Sequence, residues 1–367
     1  MPKNIVICCD GTNNEISGNQ TNVLRLFRML VRDVDQSVYY DAGVGTQADP
    51  TAHQPVRRRL SKKLDSAVGL SIRDNVLNAY RYLMRIYAEG DQIYLFGFSR
   101  GAYTVRALAA MLKCCGLLHM EHINLAAYSW ATLTNADGSA DRADQFGGVG
   151  RIKKVFGRDV EVHLVGAWDT VSSFGWVWDP KYIPYTAKNH IVAHVRHALA
   201  IDERRSYFRP NHFGAVNGQD ELSVWFAGVH ADVGGGYPED MGGLSKISLE
   251  WMMGEALSLG LRLDHAKAEE QLGRIGEDES GVECSIMHDE SKKMGWRAAG
   301  FFPKRGFSYE EDRMRWRWPN FAGKRVIMDG ADIHASVLKR MECSNLKYQP
   351  QLPEDYSVVE SQGWQNL

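Results

Sequence analysis

The sequence predicts an α/β protein: a mostly parallel central sheet with helices on both faces. Three observations lead there. Short apolar runs of strand length, among them Asn4–Cys9, Ile93–Phe96, Val160–Trp168 and Leu222–Val229, are separated by stretches with helical periodicity. Strands that alternate with amphipathic helices pair in parallel and are covered on both sides. Third, Asp10, Ser99, Asp169 and His230 each stand directly after one of the apolar runs. In parallel α/β sheets, ligands bind outside the carboxyl ends of the strands.

The elements follow in order. Asn4–Cys9 (NIVICC) reads as a buried strand that ends in the loop Asp10-Gly11-Thr12-Asn13-Asn14. Thr21 is placed to cap a helix with Val23, Leu26, Phe27 and Leu30 turned inward. Ser37–Tyr40 is a short second strand closed by Gly43-Val44-Gly45-Thr46, and residues 49–64 are polar and basic. Ser71–Tyr87 is a strongly amphipathic helix through Ile72, Val76, Tyr80, Leu83 and Tyr87. Residues 119–155 are polar, rich in Gly, Asp and Ser at their centre, and read as an insertion. Val160–Trp168 and Leu222–Val229 are further strands, and His190, His194 and His197 fall on an expected helix. Ser245–Leu259 is helical, Val326–Met328 is a possible last strand, and 333–341 is a helix. The whole of 1–367 reads as one domain, with 265–325 as an aromatic and basic arm or lid.

The bulk numbers exclude some classes of function. With 367 residues, the chain is long enough to bury a large core. A net charge of −2 gives no electrostatic case for nucleic acid as a ligand. The six cysteines include no C-x-x-C, which argues against a zinc cluster and for core thiols in a reducing compartment. No apolar run reaches the length of a membrane-spanning helix. The start, MPKNIVICCDGTNN, has an apolar run too short for a signal peptide, so the expected location is cytoplasmic, with export only by a route that reads no N-terminal signal.

The chemistry centres on residues 92–112, QIYLFGFSRGAYTVRALAAML. A strand, then Gly97-Phe98-Ser99-Arg100-Gly101, then a helix is the nucleophile elbow of α/β-hydrolases. Gly97 and Gly101 let strand and helix pack closely beside Ser99, whose hydroxyl should stand exposed at the sheet edge. A serine hydroxyl needs a base to take its proton, and the base needs an acid to fix its tautomer. The order Ser99, Asp169, His230 matches the order Ser, acid, His of such hydrolases. His334 is the rival base. Asp232 is the second candidate acid, with a turn carboxylate that bonds the amides of Gly234-Gly235-Gly236 as its simpler role. The oxyanion needs two backbone donors, expected from Arg100 and Gly11, with Asp10 fixing the loop. Asp-Gly-Thr after the first strand also resembles the phosphatases of the haloacid dehalogenase type. Their nucleophilic aspartate would fall on Cys8, so that reading loses its nucleophile. A non-catalytic scaffold on the same fold is the other alternative. No cofactor or metal is called for.

CDGTNN near the start, YYDAGVGT at 39–46, GFSRGAYTVRALA at 97–109, WDTV at 168–171, GVHADVGGGY at 228–237 and IHASV at 333–337 resemble, in this order, an α/β-hydrolase-like family that includes the catalytic domains of type VI secretion phospholipase effectors, the Tle class. The resemblance implies a Ser–Asp–His hydrolase of carboxylic esters, phospholipids being the substrate of the family's characterised effectors. By motif, it puts the nucleophile on Ser99, the acid on Asp169 and the base on His230. Toxin members of the family are longer, and this chain reads as little more than a catalytic domain; the sequence leaves an immunity or secretion partner open and does not identify it.

Peripheral membrane contact has two candidate segments. Trp296, Phe301, Phe302, Phe307, Tyr309, Trp316, Trp318 and Phe321 alternate with Arg297, Lys304, Arg305, Arg313, Arg315 and Arg317, a composition that suits a lipid interface and equally an arm packed on the core. Arg57-Arg58-Arg59 with Lys62 and Lys63 suits anionic head groups or a solvated helical face.

Overall fold

The computed structural model describes residues 2–11, 19–43, 66–134, 150–171, 175–176, 179–180, 183–205, 208–273, 281–292, 304–308, 313–317 and 323–366. Eight strands form one sheet: β1 (Asn4–Cys9), β2 (Gln36–Asp41), β3 (Gln92–Phe98), β4 (Val162–Trp168), β5 (Val192–Ala200), β6 (Asp220–Phe226), β7 (Ala331–His334) and β8 (Tyr356–Val359). Their order is β8-β7-β6-β5-β4-β3-β1-β2. Every neighbouring pair is parallel. The chain has an α/β-hydrolase-like fold. The strand order reverses between β1 and β3, and β3 carries the serine turn at its carboxyl end. The crevice at such a switch point is where open α/β sheets bind ligands.

The helices include α1 (Asn22–Met29), α2 (Ser66–Ile86), α3 (Arg100–Cys115), α4 (His230–Gly234), α5 (Gly243–Ser258), α6 (His265–Leu272) and α7 (Ala335–Glu342). Side chains alternate across β1 and β3. Ile5, Ile7, Cys9, Ile93 and Leu95 enter one core with residues of α2 and α3. Val6, Cys8, Tyr94 and Phe96 enter the opposite core with residues of α1 and α5. A third, smaller cluster under β6 and β7 contains Trp225, Ile333, Val337 and Tyr348. Thr21 caps α1 by accepting from the Leu24 amide.

Four expectations are corrected. His194 and His197 lie on β5, not on a helix, and His190 precedes it. β5 is central, and its last six residues are all buried, so the alternation that marks a strand is lost from the sequence. Val326–Met328 is not a strand; Val326 and Met328 are exposed, and β7 begins after the turn at Gly330. The cysteines are not all thiols. Cys284 and Cys343 form a disulfide across 59 residues, while Cys8, Cys9, Cys114 and Cys115 are free and buried. Beside the bond, Arg340 of α7 donates to the carbonyls of Glu283 and Ser285, a second tie between the same two segments. Finally, Ser99 is only 9 % exposed, so the residue is largely buried at the sheet edge.

The described start of 119–155 packs on the body: Trp130 and Leu133, on the helix Ala126–Thr134, enter the first core. The start of 265–325 does likewise, with Ala268 and Leu272 of α6 in the second. Later in that arm, Lys304–Ser308 pairs antiparallel with Arg313–Arg317. The aromatic residues at 296–302, 309, 318 and 321, the basic run 57–63 and the insertion centre 135–149 lie outside the described residues. Among the described residues, no helix is long and apolar enough to cross a membrane.

Candidate active site

The turn after β3 is tight because backbone meets backbone there. A Cβ on Gly97 would lie 2.5 Å from the Gly101 carbonyl oxygen, and one on Gly101 would lie 2.0 Å from the Cys9 carbonyl oxygen. Glycine at both positions lets α3 start against the ends of β1 and β3. The turn holds Ser99 at φ 58°, ψ −119°, a region that costs a non-glycine residue energy. Its amide donates to the Trp168 carbonyl at 3.0 Å, which ties the serine to the end of β4. Asp169, the next residue along β4, has φ 37°. Among the described residues, three besides glycine have positive φ, and two of them are Ser99 and Asp169. Strain of this kind gathers at functional sites, because the surrounding structure must maintain it.

The two residues meet through His230, the first residue of α4. Its Nδ1 lies 2.5 Å from Asp169 Oδ2, and its Nε2 lies 2.8 Å from Ser99 Oγ. A carboxylate accepts only, so Nδ1 carries the proton and Nε2 is left to accept the serine hydroxyl. The rings of Phe98 and Phe208 flank the imidazole at 4.6 and 4.8 Å between centroids. They line the pair with apolar surface.

Asp169 is fully buried. Burial alone would raise its pKa, but the Arg325 guanidinium and His230 outweigh that and hold the carboxyl well below the usual range. Arg325 Nη1 donates to Oδ1 at 2.5 Å and Nη2 to Oδ2 at 3.0 Å, and the Ala200 amide donates to Oδ1 at 3.1 Å. The loop before His230 is pinned by three carboxylates. Asp202 accepts from the Gly228 amide at 2.8 Å, Glu203 from the His230 amide at 3.2 Å and Asp232 from the Val229 amide at 3.0 Å.

Asp232 thus takes the Val229 amide, the His288 amide and His288 Nδ1, and not the amides of the glycine run. Burial raises its pKa, against the pull of those bonds. His334 ends β7 and bonds Ser336 Oγ at 2.8 Å and Ser361 Oγ at 3.0 Å. It caps α7, and burial lowers its pKa to about 4. The Asp10 carboxylate accepts from the Gly11 amide at 2.6 Å, Thr21 Oγ1 at 2.5 Å and Tyr40 OH at 2.8 Å. Arg100 opens α3. Among the described residues, no group of three or more His, Cys, Asp or Glu is placed to hold a metal ion.

Sequence reasoning missed Arg325, Glu203 and His288. Each stands in a loop with no motif around it, Glu203 just after β5 and the other two beyond residue 280.

The family model of the type VI secretion system phospholipase effector Tle1-like catalytic domain matches residues 3–255. The chain belongs to this family. It is also 36% identical over 226 residues to the uncharacterized protein YEL023C of Saccharomyces cerevisiae, an alignment that covers 56% of this chain and 32% of that one. The chain therefore spans about a third of the length of this curated relative. Two solved structures are similar. One is an uncharacterized protein from Pseudomonas aeruginosa, at 18% identity and TM-score 0.41, covering 74% of this chain and 50% of that one. The other is the Tle1 effector bound to the VgrG spike, at 19% identity and TM-score 0.36, covering 65% and 51%. Ser99, Asp169 and His230 all lie inside the matched residues; His288 and Arg325 lie beyond them.

Proposed function

We propose that the chain is a serine hydrolase that cleaves carboxylic esters through an acyl-enzyme, with a phospholipid or related lipid ester as substrate. The observation that supports this reading best is the unbroken hydrogen-bond chain from Asp169 through His230 to Ser99. In this reading Ser99 Oγ attacks the ester carbonyl while His230 Nε2 takes the hydroxyl proton. Asp169 keeps the Nδ1 proton in place and stabilises the imidazolium. The proton then passes from His230 to the leaving alcohol, and water repeats the sequence to free the acid. The oxyanion falls to the Arg100 and Gly11 amides. The Gly11 amide now donates to Asp10 Oδ1, so it must turn from that carboxylate or share its proton when substrate arrives.

Membership of a phospholipase effector family supports the lipid substrate. It also supports export through a type VI system, with contact at a membrane surface during turnover.

Ser99→Ala tests the reading. It should abolish labelling by a fluorophosphonate and reduce hydrolysis of short p-nitrophenyl esters by about 10⁴-fold or more. Undiminished labelling would remove Ser99 from the chemistry. Wild-type activity on short esters with none on phospholipid vesicles would keep the hydrolase and reject the lipid.

A further inference from the structure

We infer that Arg325 is a positioning residue for the hydrolytic site: it fixes the plane of the Asp169 carboxylate and shares its charge with His230. The inference rests on the hydrolase reading above and extends it to a residue beyond the part of the chain that matches the family.

The geometry is that of a fork on a carboxylate. Nη1 meets Oδ1 at 2.5 Å and Nη2 meets Oδ2 at 3.0 Å. The guanidinium is itself anchored, with Nη1 donating to the Ala200 carbonyl at 2.8 Å and Nη2 to the Phe208 carbonyl. The side chains of Arg325 and Asp169 are 5% and 0% exposed. A bidentate arginine fixes orientation as well as charge. Oδ1 also accepts from the Ala200 amide, and Oδ2 from His230, so both oxygens are committed. The carboxylate cannot swing away from the imidazole without breaking the fork.

The fork also sets the charge that His230 meets. A carboxylate shared with a guanidinium stabilises an imidazolium less than one held by His230 alone. Removing the cation should therefore make His230 a stronger base and move the acid limb of kcat/KM to higher pH. The other charged and titratable groups nearby are His197, His212 and Arg106 on the Asp169 side, and Glu203 with Arg205 beside His230. Burial first, and then the neighbouring arginines, hold His197 far down and His212 at about 4. Both are buried and held low, which separates them from the limb that Arg325→Gln is expected to move.

The experiment compares pH–rate profiles on a p-nitrophenyl ester for the wild type, Arg325→Gln, Arg325→Lys and Ser99→Ala, with circular dichroism on each. Arg325→Gln should lower kcat by about 10- to 100-fold and shift the acid limb up by about one pH unit. Arg325→Lys keeps the charge and loses the fork, so its limb should stay in place while kcat falls. A purely structural arginine would lower the yield of folded protein and leave the limb of the folded fraction unmoved. Wild-type kcat with an unmoved limb in Arg325→Gln, beside an inactive Ser99→Ala, would overturn the role of Arg325 and leave the hydrolase standing. An active Ser99→Ala would instead bring down the hydrolase and this inference with it. If Arg325→Gln fails to fold, Arg325→Lys decides: wild-type kcat rejects the inference, and reduced kcat with the limb in place upholds it.

Discussion

Two regions of the chain build the site in different ways. The strand ends of the amino-terminal part carry Ser99, Asp169 and His230, the hydrogen-bonded side chains of the proposed triad. The segments after residue 280 carry Arg325, His288 and Tyr348, which hold those side chains or their loop in place. Tyr348 reaches Asp202, which holds the Gly228 amide; His288 reaches Asp232, which holds the Val229 amide. In the proposed mechanism the first region fixes what reacts and the second how firmly it is held. A reacting side chain on a sharp turn demands particular neighbours, so its position is written locally. A supporting side chain needs only a donor at the right point in space, which many sequences supply.

Asp169 is where the two regions touch, so Asp169→Asn is the severest way to break the comparison. In the proposed mechanism the amide turns its tautomer-fixing acceptor into a poor one, and kcat should fall by about 10³- to 10⁴-fold. The same change leaves Arg325 buried without its counter-charge, which should cost on the order of 3–5 kcal/mol of stability. Urea unfolding beside steady-state kinetics reads both. Loss of activity with wild-type stability would mean that Arg325 does not depend on this carboxylate, and the second region would then support the first less than the geometry implies.

How much of this was legible follows the same division. The sheet was legible wherever a strand is followed by a turn with special residues: β1 before Asp-Gly-Thr, β3 before the Gly-Phe-Ser-Arg-Gly elbow, and β4 before Trp-Asp-Thr-Val. β5 was not, because burial on both faces removes its alternation and its alanines suit a helix. The Ser99–Asp169–His230 grouping was legible from chain order and strand ends. Arg325 was not, since it stands in a loop and meets Asp169 across 156 residues. The Cys284–Cys343 pairing was hidden for the same reason: no spacing rule links two isolated cysteines 59 residues apart.

That disulfide offers the next test, because it fastens the His288-bearing segment to α7 within the second region. Replacing both cysteines with serine frees a 59-residue loop in the unfolded chain and should cost roughly 2–4 kcal/mol in an unfolding titration. If the supporting region is stapled as described, the loss appears as an earlier midpoint under oxidising conditions only. Equal midpoints for the variant and the oxidised wild type would show that the segment is held without the bond.

The smallest effect, and the one that best separates the regions, lies in the acid dependence of stability. His334 belongs to the second region and is 5% exposed; burial lowers its pKa to about 4. A histidine with a native pKa below its unfolded value, about 6.5, binds a proton more readily in the unfolded chain. Its neutral, buried state therefore loses stability as pH falls from about 6.5 to about 4, at most about 1.4 kcal/mol per unit. His197 and His212 of the first region pull in the same direction. Asp202 and Asp232, whose pKa values burial raises, pull the other way, because the folded state takes up their protons first. Asp169 is held low, so its contribution is present above the unfolded carboxylate pKa and is lost only as pH falls below it, through the native value. The contribution of His334 is isolated by difference. His334→Gln can still hydrogen-bond Ser336 and Ser361, so it should lose about 1 kcal/mol at pH 7, and its melting temperature should fall less steeply than the wild type's between pH 6.5 and 4.5. Parallel curves would mean that His334 titrates alike in both states, and that α7 and its cap open to water before the rest of the fold does.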